Sequence, residues 1–193
     1  ILGAALLNAL EITGKKIDYL VPFEIGGLNT PVVLSAASRM GIPVVNADFV
    51  GRAAPETHMA APIGLGVDLY PMPVVDMDGN EAVFMRGTPT FGDEIGRAIV
   101  VRGGGQAANA HYLMTGEQLK KTVVPHILTK AMKIGEILLS SNGAGKNPLD
   151  RVIGELGAVR MIQGRITEIA DEDRGGFYLM NVLVKGEGPS EGH

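Results

Sequence analysis

Residues 42–58 read Ile42-Pro43-Val44-Val45-Asn46-Ala47-Asp48-Phe49-Val50-Gly51-Arg52-Ala53-Ala54-Pro55-Glu56-Thr57-His58. The first four residues form an apolar run of the kind that makes a short buried strand. Polar and ionisable side chains follow that strand, and open α/β proteins build their binding sites from polar groups in this position. The sequence therefore places the candidate site in this segment.

The elements before this segment predict a unit of strand, helix and strand. Residues 17–21 form a short apolar strand, residues 32–40 a helix, and residues 42–45 the second strand. This order requires a right-handed crossover and a parallel strand pair. The polar loops at residues 23–29 and 46–58 then follow the carboxyl ends of adjacent strands. We expect the two loops to lie side by side and to line one pocket at one edge of the sheet.

The middle of the chain alternates between strand and helix patterns. Residues 74–84 predict a hairpin with an Asp-Gly turn, and residues 95–102 predict a strand. The capping-box spacing at residues 115–118 predicts the start of a long helix over residues 116–141, in which Pro125 should produce a kink.

A change of pattern after Gly157 predicts a second domain. Residues 161–169 and 177–184 alternate as strands around an acidic turn that contains glycine. We expect a layered α/β domain over residues 1–157, with a mixed, partly parallel sheet and helices, and the start of a β-rich domain over residues 158–193. The apolar N-terminal residues have the pattern of a helix entered midway, so we expect a truncated N-terminus.

The composition limits the classes of function. The chain has 193 residues, of which 46% are hydrophobic and 20% charged, so a sizeable core can form. The net charge of −4 indicates neither nucleic acid nor an anionic membrane as a partner. There is no cysteine, which removes disulfides, thiolate nucleophiles and zinc–thiolate sites. This usage fits a reducing compartment, and we expect a cytoplasmic location.

Residues 46–58 concentrate ionisable groups among apolar neighbours. Partly desolvated charges need partners, so Arg52 is predicted to pair with Asp48 or Glu56. One interpretation is a purely structural ion-pair network. The other is a catalytic site in which Asp48 or Glu56 acts as general base and Arg52 orients an anionic or carbonyl group. The two carboxylates and His58 also form a sparse ligand set for a divalent metal, although nothing in the sequence requires a cofactor.

Two segments resemble the S-methyl thiohydantoin desulfurase family, which is often encoded near hydantoinase and oxoprolinase genes. They are Glu24-Ile25-Gly26-Gly27-Leu28-Asn29 and Gly41-Ile42-Pro43-Val44-Val45-Asn46-Ala47-Asp48-Phe49-Val50-Gly51-Arg52-Ala53-Ala54-Pro55-Glu56. The resemblance extends over most of the chain, including residues 73–79 and 164–177.

The resemblance implies an α/β domain that leads into a swivelling β domain, and a hydrolase in which water replaces methylthiolate on a thiohydantoin ring carbon. The products would be a hydantoin and methanethiol. The catalytic residues would be Asp48, Arg52 and Glu56. The residues that contact the substrate would be Glu24, Gly26, Gly27, Asn29 and His58.

The expected partner is a small cyclic amide, and we expect a homo-oligomer. An alternative from another class is a non-catalytic protein. It would bind a small molecule as a sensor, or act as a structural subunit beside a hydantoinase- or oxoprolinase-like protein. The sequence leaves binding and turnover open.

Overall fold

The structure is a computed structural model that describes residues 2–140 and 147–192. These residues form a mixed α/β fold with seven helices and three small antiparallel sheets. The helices are α1 (Leu2–Ile12), α2 (Asn29–Met40), α3 (Ala61–Gly64), α4 (Pro89–Arg102), α5 (Gly116–Thr122), α6 (Ile127–Ser140) and α7 (Pro148–Leu156). The strands are β1 (Ala47–Asp48), β2 (Met72–Asp76), β3 (Glu81–Phe84), β4 (Ala107–Asn109), β5 (Val124–Pro125), β6 (Gly164–Arg174) and β7 (Phe177–Gly186).

The chain divides into two compact units, one with the residues up to Ala131 and one with the residues from Met132 onward. The first unit holds a sheet with the strand order β3-β2-β4 and the short pair β1-β5. The second unit holds α7 and the hairpin β6-β7. The domain boundary predicted after Gly157 stays a prediction.

Small side chains bring α1 and α2 together in the core of the first unit. Ala9 of α1 and Ala36 of α2 are both 0% exposed and belong to one buried cluster. Both helices are followed by a glycine in the left-handed region, since Gly14 and Gly41 adopt φ values of +61° and +68°. Glycine reaches this left-handed region without the steric cost that a Cβ brings.

The predicted partly parallel sheet is not confirmed, because every sheet in the described residues is antiparallel and the predicted parallel strands meet only in one isolated bridge. Leu20 donates its N–H to the carbonyl of Pro43 (3.1 Å), and Val45 donates to the carbonyl of Leu20 (2.8 Å). Leu20 and Val44 are the bridge partners, in parallel orientation. Helix α2 connects the two sides of this bridge, so the two polar loops still start from neighbouring positions.

The strand predicted over residues 95–102 is wrong, because these residues form the second half of α4. The helix begins at Pro89, and the hydroxyl of Thr88 accepts a hydrogen bond from the N–H of Phe91 (3.2 Å). A threonine cap followed by proline at the first helical position is a strong start signal. That signal outweighs the strand preference of the Ile and Val residues in the last turns.

The single long helix predicted over residues 116–141 is also wrong. The capping box at Thr115 is confirmed, but α5 ends at Thr122. Residues 124–125 instead pair with residues 47–48 as the antiparallel strands β5 and β1, and α6 starts only after them. Pro125 has no N–H for a helical bond, so the chain leaves the helix instead of bending within it. Residue 141 lies outside the described residues.

Both predicted hairpins are confirmed. In β2-β3 the side chain of Asp76 accepts hydrogen bonds from the N–H groups of Asp78 (3.0 Å) and Asn80 (2.8 Å), and Gly79 has a φ of +86°. In β6-β7 the turn contains Gly175 and Gly176, both with positive φ. These turns depend on glycines with positive φ and, in β2-β3, on an Asp side chain that binds nearby N–H groups. Such residues are recognisable in the sequence, so the turns can be predicted from it.

Gly92 allows α4 to pack closely against Tyr70. A Cβ at this position would lie 2.7 Å from the Tyr70 hydroxyl, which is held by a hydrogen bond to the carbonyl of Thr88, and 3.2 Å from Leu69. We expect Gly92→Ala to lower the free energy of unfolding by roughly 1–3 kcal/mol through overpacking. Gly96→Ala is the control, because its Cβ would meet only Met72 at 3.9 Å. Urea denaturation of both variants checks the prediction, and equal midpoints would contradict it.

Candidate functional site

Glu24 joins the two polar loops. Its Oε2 accepts a hydrogen bond from the N–H of Ala54 (2.7 Å), and its Oε1 accepts one from the side chain of Asn29 (3.0 Å). The N–H of Phe49 donates to the carbonyl of Phe23 (3.1 Å), which adds a backbone contact between the same loops. The loops therefore lie side by side, as the sequence predicts.

Both loops line one cavity with a volume of about 930 Å³. Its wall is largely apolar and contains a few polar side chains from separate parts of the chain. Those with ionisable groups or imidazole rings include Glu24, Glu56, Asp93 and His111. A mostly apolar cavity with a small number of placed polar groups is typical of a site for a small organic ligand.

Asp93 of α4 holds the loop segment that carries His58. Its side chain is 10% exposed. Oδ1 accepts hydrogen bonds from the N–H of Thr57 (2.9 Å) and from the Thr57 hydroxyl, and Oδ2 lies 2.9 Å from Nδ1 of His58. On the other side of the imidazole, Nε2 lies 3.5 Å from Oε2 of Glu56. Asp93, His58 and Glu56 thus form a row in which the imidazole lies between two carboxylates. The residues at the two ends of the row, Asp93 and Glu56, line the cavity.

The surroundings of Asp93 keep it ionised. Burial alone would raise the pKa of this carboxyl, but the hydrogen bonds from Thr57 and His58 more than offset burial and hold the pKa below its usual value. A carboxylate beside Nδ1 favours a proton on that nitrogen, so Nε2 faces Glu56 with its lone pair when the ring is neutral.

His111 and Tyr112 form an aromatic part of the wall. The ring of His111 meets Phe23 and Tyr112 edge to face, with centroid distances of 5.5 Å and 4.7 Å. Tyr112 is buried, has a φ of +55°, and donates its hydroxyl to the carbonyl of Thr57 (2.6 Å). A positive φ is uncommon for a residue other than glycine, so the neighbouring contacts must hold this backbone in place.

Burial lowers the pKa of His111 to about 4, although the charge of Asp93 acts in the opposite direction. Burial also raises the pKa of the Tyr112 hydroxyl, and Asp93 adds to that rise. Both side chains are therefore neutral near pH 7. Nδ1 of His111 is buried and has no hydrogen-bond partner in the described part of the chain.

The structure gives Asp48 and Arg52 other contacts than those predicted. Asp48 is 1% exposed, and its Oδ1 accepts hydrogen bonds from the N–H groups of Val50 (3.2 Å) and Gly51 (2.7 Å). Arg52 is exposed and donates from Nε to the carbonyl of Ala53 (2.9 Å). The salt bridge predicted between Arg52 and Asp48 or Glu56 is not formed, because the guanidinium faces its own loop. Their catalytic roles stay predictions.

Asn46 and Gly26 are engaged in backbone support. Asn46 accepts from the N–H of Thr129 (3.1 Å) and donates to its hydroxyl (2.5 Å), which caps the first turn of α6. The N–H of Gly26 donates to the hydroxyl of Thr30 (3.1 Å). Asn29 lines the cavity beside Glu24. The roles in substrate binding given to Glu24, Gly26, Gly27, Asn29 and His58 stay predictions.

The sparse ligand set for a metal is not assembled. Within residues 2–140 and 147–192, no three or more His, Asp and Glu side chains are grouped to hold a metal ion. Asp48 faces its own turn, so it does not join Glu56 and His58.

Two family models match almost the whole chain. The model described as S-Me-THD-like, N-terminal domain, matches residues 2–86, and the model described as S-Me-THD-like, C-terminal domain, matches residues 88–193. The chain belongs to the S-Me-THD-like family. The predicted resemblance to S-methyl thiohydantoin desulfurases is thereby confirmed.

A crystal structure of a protein from Chromobacterium violaceum is similar to the S-Me-THD-like chain. The two are 26% identical with a TM-score of 0.70. The match covers 96% of this chain and 51% of the other, so the S-Me-THD-like chain spans about half the length of that protein. Among curated proteins, no relative matches. None of the helices in the described ranges has the length and apolar character needed to cross a membrane.

The family domains meet near residue 87, whereas the compact units of the S-Me-THD-like chain divide after Ala131. Strand pairing explains the difference. Strand β4 belongs to the C-terminal family domain, but it pairs with β2 of the N-terminal one. The candidate cavity likewise has walls from both family domains, since Glu56 precedes the boundary and Asp93 follows it.

Sequence reasoning missed Asp93, Thr57 and Tyr112 in the candidate site. Asp93 lies 35 positions from His58, and Tyr112 lies 55 positions from Thr57. The Thr88-Pro89 start signal would have placed Asp93 in the early turns of a helix. Nothing in the local sequence indicates which loop that helix contacts.

We expect the stability of the S-Me-THD-like protein to fall between about pH 6.5 and about pH 4. His111 takes up a proton near pH 6.5 when unfolded, but only near pH 4 when folded. The unfolded state therefore binds more protons in this window. Lowering the pH favours unfolding there, by at most about 1.4 kcal/mol per pH unit. Asp93 loses its stabilising charge only at lower pH, because its folded pKa lies below 3.8.

Urea denaturation across this pH range measures the effect. His111→Phe should reduce the slope of stability against pH. His126→Asn is the control, because His126 is exposed and asparagine tolerates its φ of +66°. A slope that is the same in wild type and His111→Phe would contradict the prediction.

Proposed function

We propose that this chain carries the active site of a hydrolase for hydantoin-type cyclic amides, which removes methylthiolate from an S-methyl thiohydantoin. The observation that carries the proposal is the row formed by Asp93, His58 and Glu56 at the wall of a small-molecule cavity. Membership of the S-Me-THD-like family supports the choice of substrate class.

Glu56 is the proposed general base. Its carboxylate would take a proton from a water molecule in the cavity while the water oxygen bonds to the ring carbon that carries sulfur. Nε2 of His58, 3.5 Å from Glu56, would share that proton. The Asp93 carboxylate at Nδ1 would stabilise the charge that develops on the imidazole.

The second step releases the thiol. The bond between the ring carbon and sulfur breaks, and methylthiolate takes the proton held by Glu56 and His58 to leave as methanethiol. The oxygen added to the ring carbon becomes the carbonyl of a hydantoin as its proton moves to the ring nitrogen. One water molecule is consumed and no oxidant or reductant is needed, which suits a chain without cysteine.

Glu56 is a better candidate for the base than Asp48. Glu56 lines the cavity and is approached by His58, whereas Asp48 is buried and accepts hydrogen bonds from its own turn. Arg52 is a further proposed ligand contact, after Glu56 and His58. Its exposed guanidinium would reach an anionic ligand after leaving the carbonyl of Ala53.

Two finer expectations are proposed on the family resemblance alone. The β6-β7 hairpin would belong to the swivelling β domain of the family, and the protein would form a homo-oligomer. The alternative, a non-catalytic binding subunit, would have the same cavity. A measurement of substrate turnover is therefore needed to distinguish it from the hydrolase.

The deciding experiment is thiol release. The purified protein is incubated with an S-methyl thiohydantoin, and methanethiol is detected with a thiol-reactive dye. Release that depends on the protein, with hydantoin as the second product, supports the hydrolase. Saturable binding without release supports the non-catalytic alternative, and the absence of both would overturn the proposal.

Glu56→Gln should lower kcat for thiol release by roughly 100-fold or more, because glutamine cannot accept the proton from water. The melting temperature should change little, since the Glu56 side chain is about one-third exposed at 31%. Glu94→Gln is the matched control, because Glu94 is an exposed carboxylate of α4 outside the cavity wall. Equal loss of activity in both variants would contradict the role of Glu56.

Asp93→Asn should lower kcat by roughly 10-fold or more with little change in KM. Asparagine still accepts hydrogen bonds from Thr57, but it removes the negative charge beside Nδ1 of His58. The control is Asp68→Asn, because Asp68 also accepts a backbone N–H, from Tyr70, but lies outside the cavity wall. Full activity of Asp93→Asn would show that the charge at this position is not used.

A further inference from the structure

His111 has an unused hydrogen-bonding capacity that the proposed reaction does not account for. Nδ1 is buried without a partner among the described residues. The ring makes edge-to-face contacts with Phe23 and Tyr112, and it forms part of the cavity wall. A buried polar atom without a partner destabilises a fold, so an arrangement of this kind points to a role in function.

The surroundings of the ring favour one tautomer. An N–H buried without an acceptor is rarer in proteins than a buried acceptor without a donor. Nδ1 is therefore the unprotonated nitrogen, and the proton of the neutral ring is on Nε2. Nε2 is not among the buried side-chain atoms without a partner in the described residues, and His111 lines the cavity, so Nε2 is the nitrogen available to a ligand.

The position of this ring is fixed relative to the proposed base. Tyr112 follows His111 in the chain, and its hydroxyl donates to the carbonyl of Thr57. Thr57 is the residue between Glu56 and His58 in the sequence. The strained φ of +55° at Tyr112 turns the chain at this point. Asp93 does not provide an acceptor for His111, because its oxygens contact Thr57 and His58.

We propose that His111 is a ligand-binding residue whose Nε2–H donates a hydrogen bond to the ring carbonyl of the cyclic amide, across the ring from the carbon that Glu56 and His58 attack. This inference rests on the proposed function and deepens it. A neutral donor holds a carbonyl oxygen more strongly as negative charge develops on the conjugated ring, so His111 would favour the transition state over the bound substrate.

The test uses two ligands and three variants of the full protein. The ligands are hydantoin, which carries two ring carbonyls, and 2-imidazolidinone, which lacks the one at position 4. His111→Phe keeps a flat ring without a donor. His111→Gln places an amide N–H near the position of Nε2, and His111→Asn places one near Nδ1. Calorimetric titration gives the affinities, and thermal melting gives the stability of each variant.

The expected result separates binding from stability. His111→Phe should weaken hydantoin binding by about 10- to 100-fold, leave 2-imidazolidinone binding unchanged, and keep or raise the melting temperature. His111→Gln should restore most of the lost affinity, whereas His111→Asn should not. In the thiol-release assay, His111→Phe should lower kcat more than it raises KM.

Three results would overturn the inference. Equal hydantoin binding by wild type and His111→Phe would show that the ring donates nothing, with the proposed function still standing. A fall in melting temperature that matches the loss of binding in His111→Phe, without rescue by His111→Gln, would show a structural role. A wild-type protein that binds neither hydantoin nor an S-methyl thiohydantoin would overturn the proposed function and this inference with it.

Discussion

The hydrogen bonds accepted by Asp93 are the contact on which the candidate site depends. One carboxylate near the start of α4 receives the N–H and hydroxyl of Thr57 and approaches the ring of His58. The 3-10 turn Thr57–Met59 is thereby fixed to a helix and not only to its own loop. The close packing at Gly92 lets that helix approach Tyr70. Asp93 is the next residue, so the same turn of α4 packs against Tyr70 and positions the imidazole of His58.

Local signals in the sequence predict a good part of the fold. Helix ends at Gly14 and Gly41, the capping box at Thr115 and the turn at Gly79 all depend on residues a few positions apart. The meeting of the two polar loops was also predictable, because it follows from the order of the elements around α2. The start of helix α4 is indicated by Thr88 and Pro89, but its Val- and Ile-rich end has the composition of a strand, and the strand pattern led to the wrong prediction.

The sequence indicates which loop lines the cavity, but not how its side chains are arranged. The polar side chains at residues 46–58 belong to a loop of the cavity wall, and their partners are set by tertiary contacts. Arg52 lies among carboxylates in the sequence, yet it is exposed and faces Ala53. Asp93 reaches His58 from 35 positions away, and no periodicity or spacing in the sequence encodes that contact.

The contact between Asn46 and Thr129 has a consequence for the order of folding. These residues lie 83 positions apart, and next to them β1 pairs with β5. Closing a chain segment of this length costs entropy before any contact compensates for it, so such pairings form late. The first turn of α6 obtains its cap only at that stage. On a ribosome, the loop with Glu56 and His58 would emerge long before Thr129, so its contacts with Glu24 and Asp93 could form while its base is still unpaired with β5.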